Sequence, residues 1–180
     1  MSTESPAPVT ADPSVAGRPG IGRRLVAASL LMLLLGLAAG LVWVQLARPA
    51  QWEVRDGGIV LTEAASRGQF SVIVLFVAIG VLTSMLWGWG TTWALPDLGW
   101  LVIPVVVVLT TLAAVIAWRV GVELGPPPPT SVTAATVGDR IPAQLSVDGV
   151  APFLTWPIFG LVGVIGATWV AGRARDRAAA

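Results

Sequence analysis

The stretch LVAASLLMLLLGLAAGLVWVQLA, residues 25–47, decides the fold. It contains no charged residue, and only Ser29 and Gln45 interrupt its apolar run. At about 1.5 Å of rise per residue, a helix of this length crosses a hydrocarbon core of about 30 Å with some tilt. Arg23 and Arg24 stand directly before it. Basic residues followed by an apolar stretch also open a secretory signal, or a twin-arginine signal. This run is longer than the ~7–15 residues of a signal core, and no convincing A-x-A site follows it, so we read it as a span that is kept.

The same reading extends outward along the chain. Further apolar runs cover residues 70–91, 98–118 and 153–171, giving four spans. The third is rich in β-branched residues, Val105 to Val108 among them, which in water would suggest a strand. In lipid the backbone must bond within its own segment, so length decides for a helix. Pro104 is expected to kink or offset the first turns of that span, whereas Pro152 and Pro157 sit at the start of the fourth, where proline is tolerated. Residues 92–97 form a tight turn.

Composition agrees. Of 180 residues, 55% are hydrophobic and 12% charged, where soluble domains carry about 25%. The chain has no Cys, His, Lys, Tyr or Asn, so all eleven basic residues are Arg. The joint absence of Lys, Tyr and Asn points to a GC-rich genome. Without Cys or His, no disulfide, thiolate nucleophile or common metal site forms. The arginines are scattered beside apolar runs, so no nucleic-acid partner is expected.

Polar segments separate the spans. Residues 1–24, rich in Pro, Ser, Thr, Ala and Gly, read as a disordered tail. Residues 48–69 form one long loop and residues 119–152 another; residues 173–180 form a second tail. In the first loop, the alternation Gln51 to Arg55, the turn signal Asp56-Gly57-Gly58 and the run Ile59 to Thr62 predict a small β-hairpin. A lone hairpin is marginal in water, so this one needs support from the membrane surface or from the other loop. Arg119 and Glu123, spaced i, i+4, extend the third helix beyond the bilayer before the Pro126–Pro129 break.

The nine tryptophans test these boundaries, since Trp favours membrane interfaces. Trp43, Trp52, Trp118 and Trp156 fall toward one surface; Trp87, Trp89, Trp93, Trp100 and Trp169 fall toward the other. For orientation, six arginines (18, 23, 24, 173, 175, 177) share a side with the tails and five (48, 55, 67, 119, 140) with the loops. Arg23, Arg24 and the three C-terminal arginines abut span ends. On that ground both ends are expected in the cytoplasm of a plasma (inner) membrane.

No span carries an ionisable residue in its core, which speaks against a proton relay or a charged transport path. Without Lys there is no P-loop, and neither H-E-x-x-H nor G-x-S-x-G occurs. The loop carboxylates Glu53, Asp56, Glu63, Glu123, Asp139 and Asp148 show no spacing that singles out an acid/base pair. No catalytic residue, cofactor or metal is therefore expected. What the spans do carry is small residues at helical spacing: Gly36 and Gly40; Gly80, Ser84 and Gly88; Gly163, Ala167 and Ala171. Such spacing lets helices approach closely, more often within one bundle than toward a partner.

Trp-Glu-Val-Arg-Asp-Gly-Gly (52–58), Leu-Gly-Pro-Pro-Pro-Pro (124–129), Gly-Asp-Arg-Ile-Pro-Ala-Gln-Leu (138–145) and Leu-Thr-Trp-Pro (154–157) together resemble the DUF2567 family of actinobacterial four-span membrane proteins. The resemblance covers residues 25–172 and implies the four-span arrangement but no activity. The expectation is an all-α membrane protein, a four-helix bundle with a small β-hairpin in its outer loops. Its expected role is a non-enzymatic accessory or assembly component, surrounded by lipid and in contact with other membrane subunits. Trp52, Asp56, Arg119 and Glu123 are its candidate outer contacts. The alternative is a permease-like subunit of a small-molecule or lipid transport system; an enzyme using loop carboxylates ranks last.

Overall fold

The apolar run after Arg24 forms α1, Ile21–Leu46, a helix of 26 residues. It is followed by β1 (Gln51–Arg55), β2 (Gly58–Val60), α2 (Glu63–Ala94), a 3-10 helix (Pro96–Leu101), α3 (Val102–Leu124), β3 (Arg140–Pro142) and α4 (Ala151–Ala179). The computed structural model describes residues 20–47, 51–55, 58–60, 63–127, 140–147 and 149–179. Residues 1–19 of the tail expected over 1–24, and most of the segment between Pro126 and β3, lie outside them.

Among the described residues four helices are long and apolar enough to cross a membrane: Ile21–Leu46, Phe70–Ala94, Pro96–Leu124 and Ala151–Ala179. Three of the helices reach beyond the expected spans: α1 begins at Ile21, so residues 21–24, read as part of a disordered tail, are helical. α2 begins at Glu63, so residues 63–69, read as loop, are helical. A polar turn can continue a helix into water. α4 runs to Ala179 through residues read as a tail. Ala and Arg are good helix formers, and Arg177 in the last turn complements the dipole.

The prolines fall differently from expectation. Pro104 lies in the first turn of α3, where its missing N–H costs nothing. The break in direction is instead at Gly99, with φ 54° and ψ −126°, a conformation open essentially to glycine alone. Pro157, expected near a helix start, is inside α4 because that helix begins at Ala151. It therefore removes one α4 hydrogen bond from the carbonyl four residues back.

Around the bundle the neighbours run α1–α3–α4–α2. α2 and α3, joined by the short 3-10 segment, stand nearly diagonal to each other. The tightest pairs are α1 with α3 and α2 with α4, and both run parallel. α1 and α2 touch least of the four neighbouring pairs. The chain ends and the 3-10 helix share one end of the bundle, the tail end. The three strands lie at the other, the loop end.

There β1 pairs antiparallel with β2, with Arg55 opposite Gly58, and antiparallel with β3, with Trp52 opposite Ile141. The order β2-β1-β3 joins backbone from both long connections into one sheet. The third strand was not expected, since Arg140–Pro142 is too short for alternation to reveal it.

The core contains Met32, Trp43, Phe76, Val106 and Trp156, all almost wholly buried. Phe76 lies at the centre of an aromatic cluster. Its ring centroid is 5.2 Å from Trp43, 5.5 Å from Phe153 and 5.7 Å from Trp156, and Trp118 stacks edge-on to Phe153 at 5.9 Å. The cluster draws a ring from every helix. Trp43, Trp87 and Trp156, read as falling toward the two surfaces, are buried in the bundle. Their depth along the helix suits an interface, but depth does not say which way a side chain faces. Trp89, Trp93, Trp100 and Trp169 are exposed on the bundle surface.

Candidate functional site

Small residues make the two parallel seams. A Cβ on Gly36 would lie 2.8 Å from the Ala113 Cα, and one on Gly40 would lie 2.7 Å from the Ala117 carbonyl oxygen. α1 and α3 thus meet backbone to backbone. In the other seam, a Cβ on Gly88 would collide with the Gly160 carbonyl, one on Gly163 with the Met85 carbonyl, and one on Gly80 with the Trp156 indole. Ser84 is buried there and its hydroxyl donates to the Gly80 carbonyl at 2.6 Å. Ala167 is fully buried. The candidate packing residues therefore face the chain's own helices, except Ala171, which lines a surface groove.

The candidate contacts of the loops are more scattered. Trp52 is on β1, and Asp56 lies outside the described residues. Arg119 and Glu123 are exposed near the end of α3, and the Arg119 guanidinium sits 5.2 Å from the Trp118 ring centroid. Nearby, Leu145 is buried and would lie 2.9 Å from a Cβ on Gly125. The chain after β3 is thereby pinned onto the end of α3.

The buried hydroxyls bond locally. Thr91 donates to the Trp87 carbonyl at 2.8 Å and Thr110 to the Val106 carbonyl at 2.7 Å. These bonds satisfy hydroxyls inside lipid without linking helices. The Trp43 indole N–H donates to the Val72 carbonyl at 2.9 Å. The Trp156 indole N–H is buried without an acceptor.

Two grooves open on the tail half of the bundle, and sequence reasoning missed both because they come from the space between packed elements. One, of about 750 Å³, lies between α1 and α2 with Arg24 at its mouth. The other, of about 770 Å³, lies between the 3-10 helix and α4, with Trp93, Trp100 and Arg175 among its lining residues. Among the described residues no carboxylate lines either groove. Beside the second, the Arg173 guanidinium stacks 3.3 Å from the Trp169 ring centroid. Among the described residues no group of His, Cys, Asp or Glu could hold a metal ion.

Four apolar crossings among the described residues, an aromatic and small-residue core and grooves open at the bundle surface define a multi-pass helical membrane protein. No protein-family model, curated protein or solved structure matches the chain.

Proposed function

We propose that the protein is a non-enzymatic accessory or assembly component of a larger membrane or envelope complex, working through the face formed by its two long loops. The observation that carries this reading is the β2-β1-β3 sheet. It knits both connections into one platform, which Leu145 anchors to the bundle. Its two edge strands present backbone groups to which a partner's strand could add.

The same reading takes the chain as a DUF2567-like protein of an actinobacterial plasma membrane. Both ends are in the cytoplasm and the sheet is outside. The alternative, a permease-like subunit lining a polar path, is less favoured. The hydroxyls of Ser84, Thr91 and Thr110 bond back to their own helices, and the rest of the core is Leu, Val, Met, Ala and aromatic rings.

Affinity purification of the full chain in mild detergent, followed by mass spectrometry, tests the proposal. A co-purifying membrane subunit whose recovery drops when residues 52–60 are replaced by a Gly/Ser linker is the expected result. A clean monomer without partner would sink it.

A further inference from the structure

The α1–α2 groove has the shape of one phospholipid leaflet. On α1 it is lined by Arg24, Ala28, Leu31 and Leu35, a stripe along one helix face. From Arg24 to Leu35 the helix rises about 16 Å at ~1.5 Å per residue, which is roughly half of a ~30 Å hydrocarbon core. Across from it α2 contributes Leu82 at the deep end and Gly90 and Ala94 at the mouth. The small residues leave space just below the arginine, and nothing stands within 4 Å of where a Gly90 Cβ would be. Farther in, the Trp87 indole N–H reaches the Ala28 carbonyl at 3.3 Å and closes the floor. Leu31, Leu82 and Leu86 are more than half exposed and form the walls.

The charge at the mouth has one sign. Arg24 is exposed, no acid among the described residues lines the groove, and the first turn of α1 carries no acid. α1 also begins there without a side-chain cap, so the positive end of its dipole adds to the guanidinium. An apolar slot one leaflet deep, with a cation at its surface end, matches a phosphate ester carrying a long acyl chain. We propose that this groove binds an anionic phospholipid from the leaflet on the tail side, with its phosphate on Arg24 and one acyl chain laid between α1 and α2.

Native mass spectrometry of the delipidated full-length protein tests this. The protein is offered equimolar dioleoyl phosphatidylglycerol and dioleoyl phosphatidylcholine in detergent. One retained phosphatidylglycerol is expected, with a preference over phosphatidylcholine of about fivefold, the size expected of one basic residue at a membrane surface. Arg24→Gln should abolish the preference and Arg24→Lys should keep most of it. Arg23→Gln, which alters a neighbouring arginine outside the groove, should leave it unchanged. Gly90→Leu fills the slot where a side chain has room, and should lower retention of both lipids while the protein stays monodisperse. Equal retention of the two lipids, an Arg24→Gln protein that keeps the preference, or undiminished binding to Gly90→Leu would overturn the proposal. So would a two-chain species without bound lipid, which would make the groove a contact between copies.

Discussion

Trp43 and Trp156 are both buried in one aromatic cluster around Phe76, yet only Trp43 has an acceptor for its indole N–H, the Val72 carbonyl at 2.9 Å. The two residues have the same side chain and nearly the same burial, and they differ in one hydrogen bond. Trp43→Phe therefore gives up a bond between α1 and α2 worth about 0.6–1 kcal/mol, besides the lost ring volume. Trp156→Phe removes a polar group with no partner, which offsets part of its packing loss. Unfolding titrations in mixed SDS micelles should place Trp156→Phe as the milder change. Equal losses would show that the bond contributes nothing.

Gly88 and Gly22 separate close approach from helix propensity. A methyl on Gly88 meets the Gly160 backbone, whereas one on Gly22 meets nothing within 4 Å. Gly88→Ala should destabilise by about 1–3 kcal/mol, the usual range for overpacking, and lower the temperature at which the protein leaves its gel-filtration peak. Gly22→Ala should be neutral or stabilising by up to ~1 kcal/mol.

Gly99 carries the backbone turn inside the Pro96–Leu101 segment, just before α3, at φ 54°. Gly99→Ala should cost about 1–3 kcal/mol through strain alone, since no neighbouring atom stands near the added carbon. Heating followed by gel filtration reads the loss, and an unchanged midpoint would show that the chain turns there by another route.

The chain has no cysteine, so single cysteines can be introduced without a background. Cysteines at Asp97 and Ala178 should react with a membrane-impermeant maleimide from one side, and those at Asp56 and Thr136 from the other. For the proposed orientation, Asp97 is the cytoplasmic one. Its labelling from outside intact cells would reverse the orientation and leave the four crossings standing.

Much of the architecture was legible in hydropathy. The run at residues 25–47 reads as a helix because length and lipid leave no other choice, and α1 follows it closely. The small residues were equally legible as seams, because backbone contact demands Gly or Ala at i, i+4. Their partners were not. That Gly36 faces Ala113, and Gly88 faces Gly160, depends on the ring order α1–α3–α4–α2, which no local pattern encodes. The direction of the tryptophans was hidden for a related reason, as position along a helix sets depth whereas neighbours set direction. Helix ends at Glu63 and Ala179 were missed because polar helix and polar loop look alike once the apolar run stops. The grooves were invisible because they come from the gap between helices.

The ring order has a bearing on how the protein is made. Helices enter the bilayer in chain order, so α1 and α2 arrive together as a hairpin. Yet they share the loosest seam of the bundle, and their close partners, α3 and α4, come later. Until synthesis is complete, the Gly36–Gly40 and Gly80–Gly88 faces lie bare to lipid and to any passing helix. The first half of the chain is thus a biogenesis intermediate in waiting, exposed to proteolytic quality control. A message truncated after Ala94 should yield a short-lived product, rescued when the second half is supplied as a separate chain.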